Sequence, residues 1–217
     1  MDGLDDFYNM DLSRGPFRTH REPMDRTQLR RKPARGSHDR DVIDRICDEA
    51  LICHVGFAAP HGPVVIPTTF VRIGPEIHIH GSVGSAMLTA LSEGGSACIT
   101  ITLLDALVLA KTALHHSANY RSVVAFGRGR VVERREDKLA SLAALLDKID
   151  PGRSRACRPP NEKELKMTRV VALPLTEASA KIRSGGPLAE ENAEDAALPY
   201  WAGIIPLVTS RGERVPA

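Results

Sequence analysis

The residues best suited to chemistry are concentrated in residues 78–85, which read His-Ile-His-Gly-Ser-Val-Gly-Ser. A strand through the first part would place His78 and His80 on one face, because successive side chains alternate. The glycines and serines that follow would lead into a helix, and the free N–H groups at a helix start favour an anion, phosphate above all. Serine caps also occur where nothing binds, so a purely structural joint stays open as an alternative.

The two histidines allow three interpretations. A metal site would need a third ligand, for which His115 or His116 is the candidate, but no carboxylate or cysteine lies at matching spacing, and we expect no metal. Two half-buried imidazoles in hydrogen bonds are the structural alternative. In the third interpretation His80 faces a ligand beside the serines and is the candidate catalytic residue. A serine hydrolase is not indicated, because the chain has no Gly-x-Ser-x-Gly elbow.

Basic residues form two further candidate sites. Lys181 and Arg183 lie two apart in a predicted strand, so they share a face and suit an anionic substrate. The run Arg-Arg-Lys-Pro at residues 30–33 could likewise reach a phosphate. For both groups the alternative is a solvated charged surface or tail.

The elements that must position these residues are short strands. Residues 64–73 are rich in β-branched side chains and end at Gly74-Pro75, which predicts a strand and a turn into a second strand at 76–80. Ser82 is the predicted cap of a helix that ends at Gly94-Gly95. Gly127 and Gly129 interrupt a later strand and predict a bulge or a close backbone approach. A meander of this kind, mainly β with inserted helices (α+β), predicts a closed or partly closed antiparallel barrel.

Composition limits the classes of function. The chain has 217 residues, 42% apolar and 26% charged, with a formal net charge of +2, which does not indicate a polyanion partner. An aromatic content of 4% argues against base stacking, so we expect no nucleic acid. No apolar run suits a membrane span or signal peptide, and the four cysteines form no Cys-x-x-Cys pair, so we expect a cytoplasmic protein with reduced thiols. We predict a polar tail at 1–36, one domain at 37–210 and a second tail at 211–217.

Several separated motifs, in order, carry a resemblance to a known family. They include Cys-His-Val-Gly-Phe at 53–57, Val-Ile-Pro-Thr at 65–68, residues 78–88 and 100–109, Asn-Tyr-Arg-Ser-Val at 119–123 and Ser-Ala-Lys-Ile-Arg-Ser-Gly at 179–185. With these motifs the sequence resembles the flavin-binding split-barrel proteins, specifically the pyridoxamine 5'-phosphate oxidase-related group that includes nitroimidazole-resistance reductases.

The resemblance implies a six-stranded antiparallel Greek-key split β-barrel, a homodimer, and FMN in clefts between the subunits. It implies that the backbone at Pro67 and Thr68 meets the flavin ring. The other residues that it assigns to the cofactor site are His80, Gly81, Ser82, Ser85, Thr100, Tyr120, Arg121 and Ser122. Lys181, Arg183 and Trp201 are the candidate substrate-binding residues.

One position departs from the family pattern. Relatives carry Arg or Lys after the serine at Ser85, where this chain has Ala86, so Arg72, Arg121 or a tail arginine would have to pair with the phosphate. The resemblance implies an FMN-dependent oxidoreductase that passes electrons from a reduced nicotinamide to a small organic acceptor. The alternative function is a non-catalytic protein that binds or senses a flavin nucleotide or haem.

Overall fold

The computed structural model describes residues 26–188 and 193–216. Its strands are β1 (Gly36–Ser37), β2 (Ile52–Ala59), β3 (Gly62–Thr69), β4 (Val71–Ile73), β5 (Glu76–Ser82), β6 (Ser96–Leu109), β7 (Ser117–Arg128), β8 (Arg130–Val131), β9 (Thr168–Pro174), β10 (Glu177–Arg183) and β11 (Gly203–Pro206). Its helices are α1 (Arg40–Glu49), α2 (Ala86–Ser92), α3 (Arg135–Ile149), α4 (Glu162–Met167) and α5 (Ala193–Ala197). None of these helices has the length and apolarity needed to cross a membrane.

The strands form two sheets. The first has the order β1-β10-β7-β6-β2-β3, with β11 paired to the far end of β6, and the second has the order β4-β5-β9-β8. Every pairing is antiparallel. This arrangement confirms the predicted antiparallel split barrel with inserted helices. The described ranges contain more than six strands because short pairs such as β1 and β8 extend the sheet edges.

The main core lies between the two sheets. Val55, Ile99 and Ala125 point inward from neighbouring strands of the first sheet, and Ile77 and Ile79 point inward from the second. Alternation along each strand therefore sends the residues between them to the outer faces. For β5 those outward residues are His78, His80 and Ser82, so the chemistry-bearing side chains lie outside the core.

Gly127 and Gly129 mark close backbone contacts, as their spacing predicts. A Cβ atom on Gly127 would lie 2.8 Å from the ring of Pro174 on β9. On Gly129 it would lie 2.5 Å from the carbonyl oxygen of Leu91, in the last turn of α2. Gly127 therefore lets β7 pass close to the second sheet, and Gly129, between β7 and β8, lets the chain pass close to α2.

The predicted cap of α2 was wrong by three residues. Ser82 still belongs to β5, where it pairs with Thr168, and its Oγ accepts a hydrogen bond from the N–H of Gly84 at 3.2 Å. The cap is Ser85, whose Oγ accepts from the N–H of Leu88. Pairing with β9 extends the strand through Ser82, and this tertiary contact outweighs the local preference for a cap.

The described part of the N-terminal segment packs on the first sheet. Arg26 donates two hydrogen bonds to the carboxylate of Glu177 and lies 4.7 Å from the ring centroid of Phe126. Gly36 and Ser37 then pair with Lys181 and Ala180 on β10. Residues 26–37 thus cover one edge of the sheet, and the rest of the predicted tail, residues 1–25, lies outside the described residues.

Candidate functional site in the split between the sheets

The two sheets separate where β3 ends. Phe70 alone links β3 to β4, yet β3 pairs with β2 in the first sheet while β4 pairs with β5 in the second. The pairing of β4 stops at His78, whereas β5 continues to Ser82. In the described chain, therefore, β3 pairs only with β2. Residues 79–82 of β5 pair only with β9, because the pairing with β4 stops at His78. These two strand edges form the walls of a split.

The split brings together residues that are remote in sequence. Continuing the β4–β5 register backwards would place Thr68 opposite Gly81 and Pro67 opposite Ser82. An edge strand presents unpaired backbone N–H and C=O groups to a ligand. β3 and β5 contact each other although they belong to different sheets. The predicted ring-contacting residues and the predicted ribityl- and phosphate-contacting residues therefore lie on two neighbouring strands.

A row of outward side chains leads away from the split along the first sheet. Pro67 on β3 is registered with His54 on β2, and His54 is registered with Thr100 on β6. His54 is exposed and stands between two predicted site residues. His54 could not be selected from the sequence, because its position between Pro67 and Thr100 depends on strand register, which no local signal encodes.

Tyr120 and Ser122 lie farther from the split. Both are on β7, three strands away from β3, or about 14 Å at the usual strand spacing. They point to the outer face of the sheet, registered with Leu104 and Thr102. They do not border the split within this chain.

Arg121 does not lie at the split either, because two carboxylates hold it. Its guanidinium donates to Asp105 at 2.7 Å and to Glu49 at 2.8 Å. Both partners raise the pKa of Arg121, the bond to Glu49 most. Arg72 is similarly paired with Asp48 at 2.6 Å. Neither arginine replaces the missing base at position 86.

Arg169 lies close to the cap of α2. It is registered with Gly81 across the β5–β9 pair, and its Nη1 donates to Thr89 Oγ1 at 3.1 Å, one turn after the cap Ser85. No described carboxylate forms an ion pair with Arg169. This proximity could not be predicted from the sequence, because Arg169 is more than eighty residues away from Ser85 along the chain.

The histidines of β5 lie beneath α3. His78 Nδ1 is 2.8 Å from Ser141 Oγ, and burial lowers the pKa of His78 although Glu76 opposes the shift. Burial also lowers the pKa of His80, whose Nδ1 is buried without a hydrogen-bond partner. In the described chain no third His, Cys, Asp or Glu completes a metal site with them. His78 thus fits the hydrogen-bonded alternative, and His80 does not.

His80 faces a cavity of about 260 Å³ between the second sheet, α3 and α4. Three leucines and a proline give the cavity an apolar wall, and Glu164 and Thr168 are its other polar residues. The lining residues are His80, Leu142, Leu145, Leu146, Pro160, Glu164 and Thr168. A neutral imidazole at an apolar opening is suited to bind a flat, largely apolar group.

The candidate substrate residues are separated. Lys181 and Arg183 lie near the opposite edge of the first sheet from β3, and the guanidinium of Arg183 is buried. Trp201 is largely exposed, and its ring contacts Gly203 at the start of β11. The three residues do not form one site within this chain.

Comparisons with known proteins show the family of the chain. A family model described as pyridoxamine 5'-phosphate oxidase matches residues 39–182, so the chain belongs to that family. The flavocytochrome Anf3 from Azotobacter vinelandii is 35% identical, with a TM-score of 0.83, over 90% of each chain. The FAD and haem binding protein from Mycobacterium smegmatis is 36% identical, with a TM-score of 0.79, over 84% of this chain and 89% of that one.

A more distant structure supports the fold alone. It is described as a 5-nitroimidazole antibiotic resistance protein from Bacteroides thetaiotaomicron, is 20% identical with a TM-score of 0.58, and covers 68% of this chain and 86% of its own. No curated protein sequence matches the chain. The predicted membership of the pyridoxamine 5'-phosphate oxidase-related group is confirmed.

Lys148 lies at the closed end of the split and gives a prediction about pH. Its ammonium is 3.6 Å from the ring centroid of Phe70 and donates to the carbonyl of Cys47 at 2.8 Å, and burial lowers its pKa to about 8. Between about pH 8 and 10 the unfolded chain therefore binds more protons at this residue, so its contribution to the free energy of unfolding rises with pH. Burial raises the pKa of Cys47 to about 11, which acts in the opposite direction.

The difference between wild type and Lys148→Met isolates the lysine. Methionine keeps the apolar stem. We expect the free energy of unfolding of Lys148→Met minus that of wild type to fall by on the order of 1 kcal/mol from about pH 7.5 to about pH 10, after allowance for solvent screening. Urea unfolding of both proteins at both pH values measures this difference. Parallel pH curves for the two proteins would contradict the assignment.

Proposed function

We propose that the protein is a flavin-dependent redox protein whose flavin lies in the split between β3 and β5. The observation that carries this proposal is the contact between β3 and β5, two strands of different sheets. In the described chain β3 pairs only with β2, and residues 79–82 of β5 pair only with β9, so each strand has a backbone edge without a partner strand. A flavin ring needs a narrow slot and backbone hydrogen-bonding groups at its polar edge, and such edges supply both. The flavocytochrome and the FAD and haem binding protein, each about a third identical to this chain, support the choice of cofactor.

Each part of the flavin has candidate partners in this chain. The edge backbone of β3 near Pro67 would meet the ring. The hydroxyl of Ser85 and the guanidinium of Arg169 would meet the phosphate, whereas the side chain of Ser82 lies on the outer face of β5 with His80. When bound, the flavin accepts a hydride from a reduced nicotinamide and passes electrons to an acceptor, for which a small organic molecule is the candidate. The protein's part is to orient the ring and to exclude water from it.

The same site favours a flavin nucleotide over riboflavin. The family pattern implies FMN, while the relative from Mycobacterium smegmatis binds FAD. Ala86 removes the base that would pair with a terminal phosphate, and Arg169 offers a replacement from the neighbouring strand. FMN and FAD each carry a phosphate that would lie beside Arg169, whereas riboflavin carries none.

Haem is a second candidate cofactor, favoured by the orphaned nitrogen of His80. Haem iron is bound by neutral imidazole, and His80 is neutral, has a ring nitrogen without a partner and opens onto leucine side chains. The two relatives of about a third identity are a flavocytochrome and a haem-binding protein. The cavity of about 260 Å³ is smaller than most ligand pockets, so part of the porphyrin would project beyond it.

The outer face of the first sheet would carry a homodimer. Val65 is 64% exposed, Leu104 48% and Ile52 43%, and the register places all three on this face. A second copy of the chain would bury them and bring Tyr120 and Ser122 towards the partner's split, a place they do not reach within one subunit. The interface would be related by a twofold axis.

Light scattering tests the dimer. We expect twice the chain mass at micromolar concentration and the mass of one chain for the variant Val65→Asp, because a buried charge in this interface has no partner. Val215→Asp is the matched control, since Val215 is 88% exposed near the chain end. A wild-type monomer would contradict the shared-site model.

The absorbance of the purified protein tests both cofactors. We expect a flavin band that bleaches with reduced nicotinamide, and a haem Soret band that is absent in His80→Ala while the flavin stays. His61→Ala, in the exposed turn between β2 and β3, is the control and should keep both bands. A protein that binds neither FMN nor FAD would refute the proposed function. A Soret band that survives in His80→Ala would remove only the haem assignment.

Arg169→Ala tests the phosphate contact. We expect FMN or FAD to bind about tenfold more weakly, because a charge-assisted hydrogen bond is lost, while riboflavin affinity stays the same. Lys166→Ala, which removes an exposed lysine of α4, should change neither affinity. Flavin fluorescence titration measures both, and an equal loss for riboflavin and the nucleotides would place Arg169 away from the phosphate.

A further inference from the structure

A larger cavity lies at the end of the barrel that is opposite the split. Its volume is about 560 Å³, which is within the range of small-molecule pockets. It is formed by the N-terminal segment, the residues around the start of α1, and the turn between β9 and β10. Its lining residues are Thr27, His38, Arg40, Ile43, Leu175, Thr176, Glu177 and Ala178.

Strand β5 spans the distance between this cavity and the split. The N–H of Leu175 donates to the carbonyl of Pro75 at 2.8 Å, so the turn between β9 and β10 lies beside the residue that precedes β5. β5 then runs from Glu76 to Ser82, about 20 Å at the usual rise per residue. The described linings of this cavity and of the cavity that His80 faces share no residue. The larger cavity is therefore separate from both proposed cofactor sites of the chain.

The floor of the larger cavity is apolar and belongs to the main core. Ile43 of α1, Leu175 and Ala178 of β10 are all buried. They pack with the core residues that lie between the two sheets, and this close packing fixes the shape of the floor. A ligand that covers the floor would gain free energy by removing an apolar group from water.

Arg40 lines the same cavity and retains hydrogen-bond donors. Its Nε pairs with Asp44 at 2.7 Å, its Nη1 donates to the carbonyl of Leu175 at 3.1 Å, and its Nη2 donates to the carbonyl of Gly74 at 3.5 Å. A guanidinium has five N–H groups, so one on each terminal nitrogen has no partner among the described residues. Two N–H groups on one planar fork are suited to the two oxygens of a carboxylate.

The other polar residues of the lining also favour an anion over a cation. His38 Nε2 is 3.2 Å from Oγ1 of the buried Thr27, and no described residue bonds to its Nδ1, which is thus available to a ligand. The carboxylate of Glu177 accepts two hydrogen bonds from Arg26, which balance its charge. An ammonium group would meet the positive charge of Arg40 and a carboxylate that is already paired.

We infer that this cavity binds a small organic carboxylate that has an apolar body. The carboxylate would accept hydrogen bonds from Arg40 and His38, and the apolar body would cover the floor. Such a ligand would join the N-terminal segment, α1 and β10. The inference does not depend on the flavin, because the flavin is proposed to lie at the other end of β5.

Isothermal titration calorimetry with octanoate tests the inference on the protein as purified. We expect octanoate to bind to the wild type. Acetate should bind at least tenfold more weakly, because it has no apolar body to cover the floor. Octylamine has the same body with the opposite charge, so it should also bind at least tenfold more weakly.

Two variants and a control assign the binding to this cavity. Arg40→Ala should weaken octanoate binding about tenfold, because a charge-assisted hydrogen bond is lost. The matched control is Arg45→Ala, which removes an exposed arginine from the same helix and should leave the affinity within about twofold. Thr176→Asp places a negative charge at an exposed position of the lining, so it should also weaken binding and provides a second variant if Arg40→Ala does not fold.

The outcomes that would overturn the inference are specific. They are a wild type that does not bind octanoate, octylamine that binds as tightly as octanoate, and a control that loses as much affinity as Arg40→Ala. Loss of octanoate binding in His80→Ala would place the ligand in the other cavity and would overturn the inference too. Octanoate binding by a protein that binds no flavin would refute the proposed function and leave this inference standing.

Discussion

The structure depends on one change of direction at Phe70. This residue is fully buried, and it alone separates β3 of the first sheet from β4 of the second. The ammonium of Lys148 packs on its ring, a contact that ties α3 to the junction. Because β3 and β4 must pair with different neighbours on either side of Phe70, the barrel cannot close, and two strand edges stay free. The candidate site is a direct consequence of this split.

Much of the fold could be predicted from local signals. Alternation at 76–80, the turn at Gly74-Pro75 and the glycines at 127 and 129 depend on neighbouring residues, and the structure agrees with all of them. The start of α2 could not be predicted, because pairing with β9 keeps Ser82 in the strand. Motif resemblance supplied the family, which periodicity alone does not define.

The candidate site was predicted less completely, and the reason is physical. The matched motifs contain Pro67, Thr68, Gly81 and Ser82, so the resemblance could assign these residues to the site. Arg169 depends on a pairing across more than eighty residues, and the neutralisation of Arg121 depends on Glu49 and Asp105, which no motif includes. Long-range electrostatic partners are set by topology, so a sequence shows which residues are charged and not which charges are already balanced.

Hydrogen exchange of the backbone tests the central claim, a flavin nucleotide in the split, most directly. Exchange would be compared with and without bound flavin, since edge N–H groups that bond to a ligand become protected. The account predicts protection concentrated at residues 64–69 and 79–85, with β10 near Lys181 unchanged. Protection that is confined to other strands, with the edges of β3 and β5 exchanging as before, would contradict it.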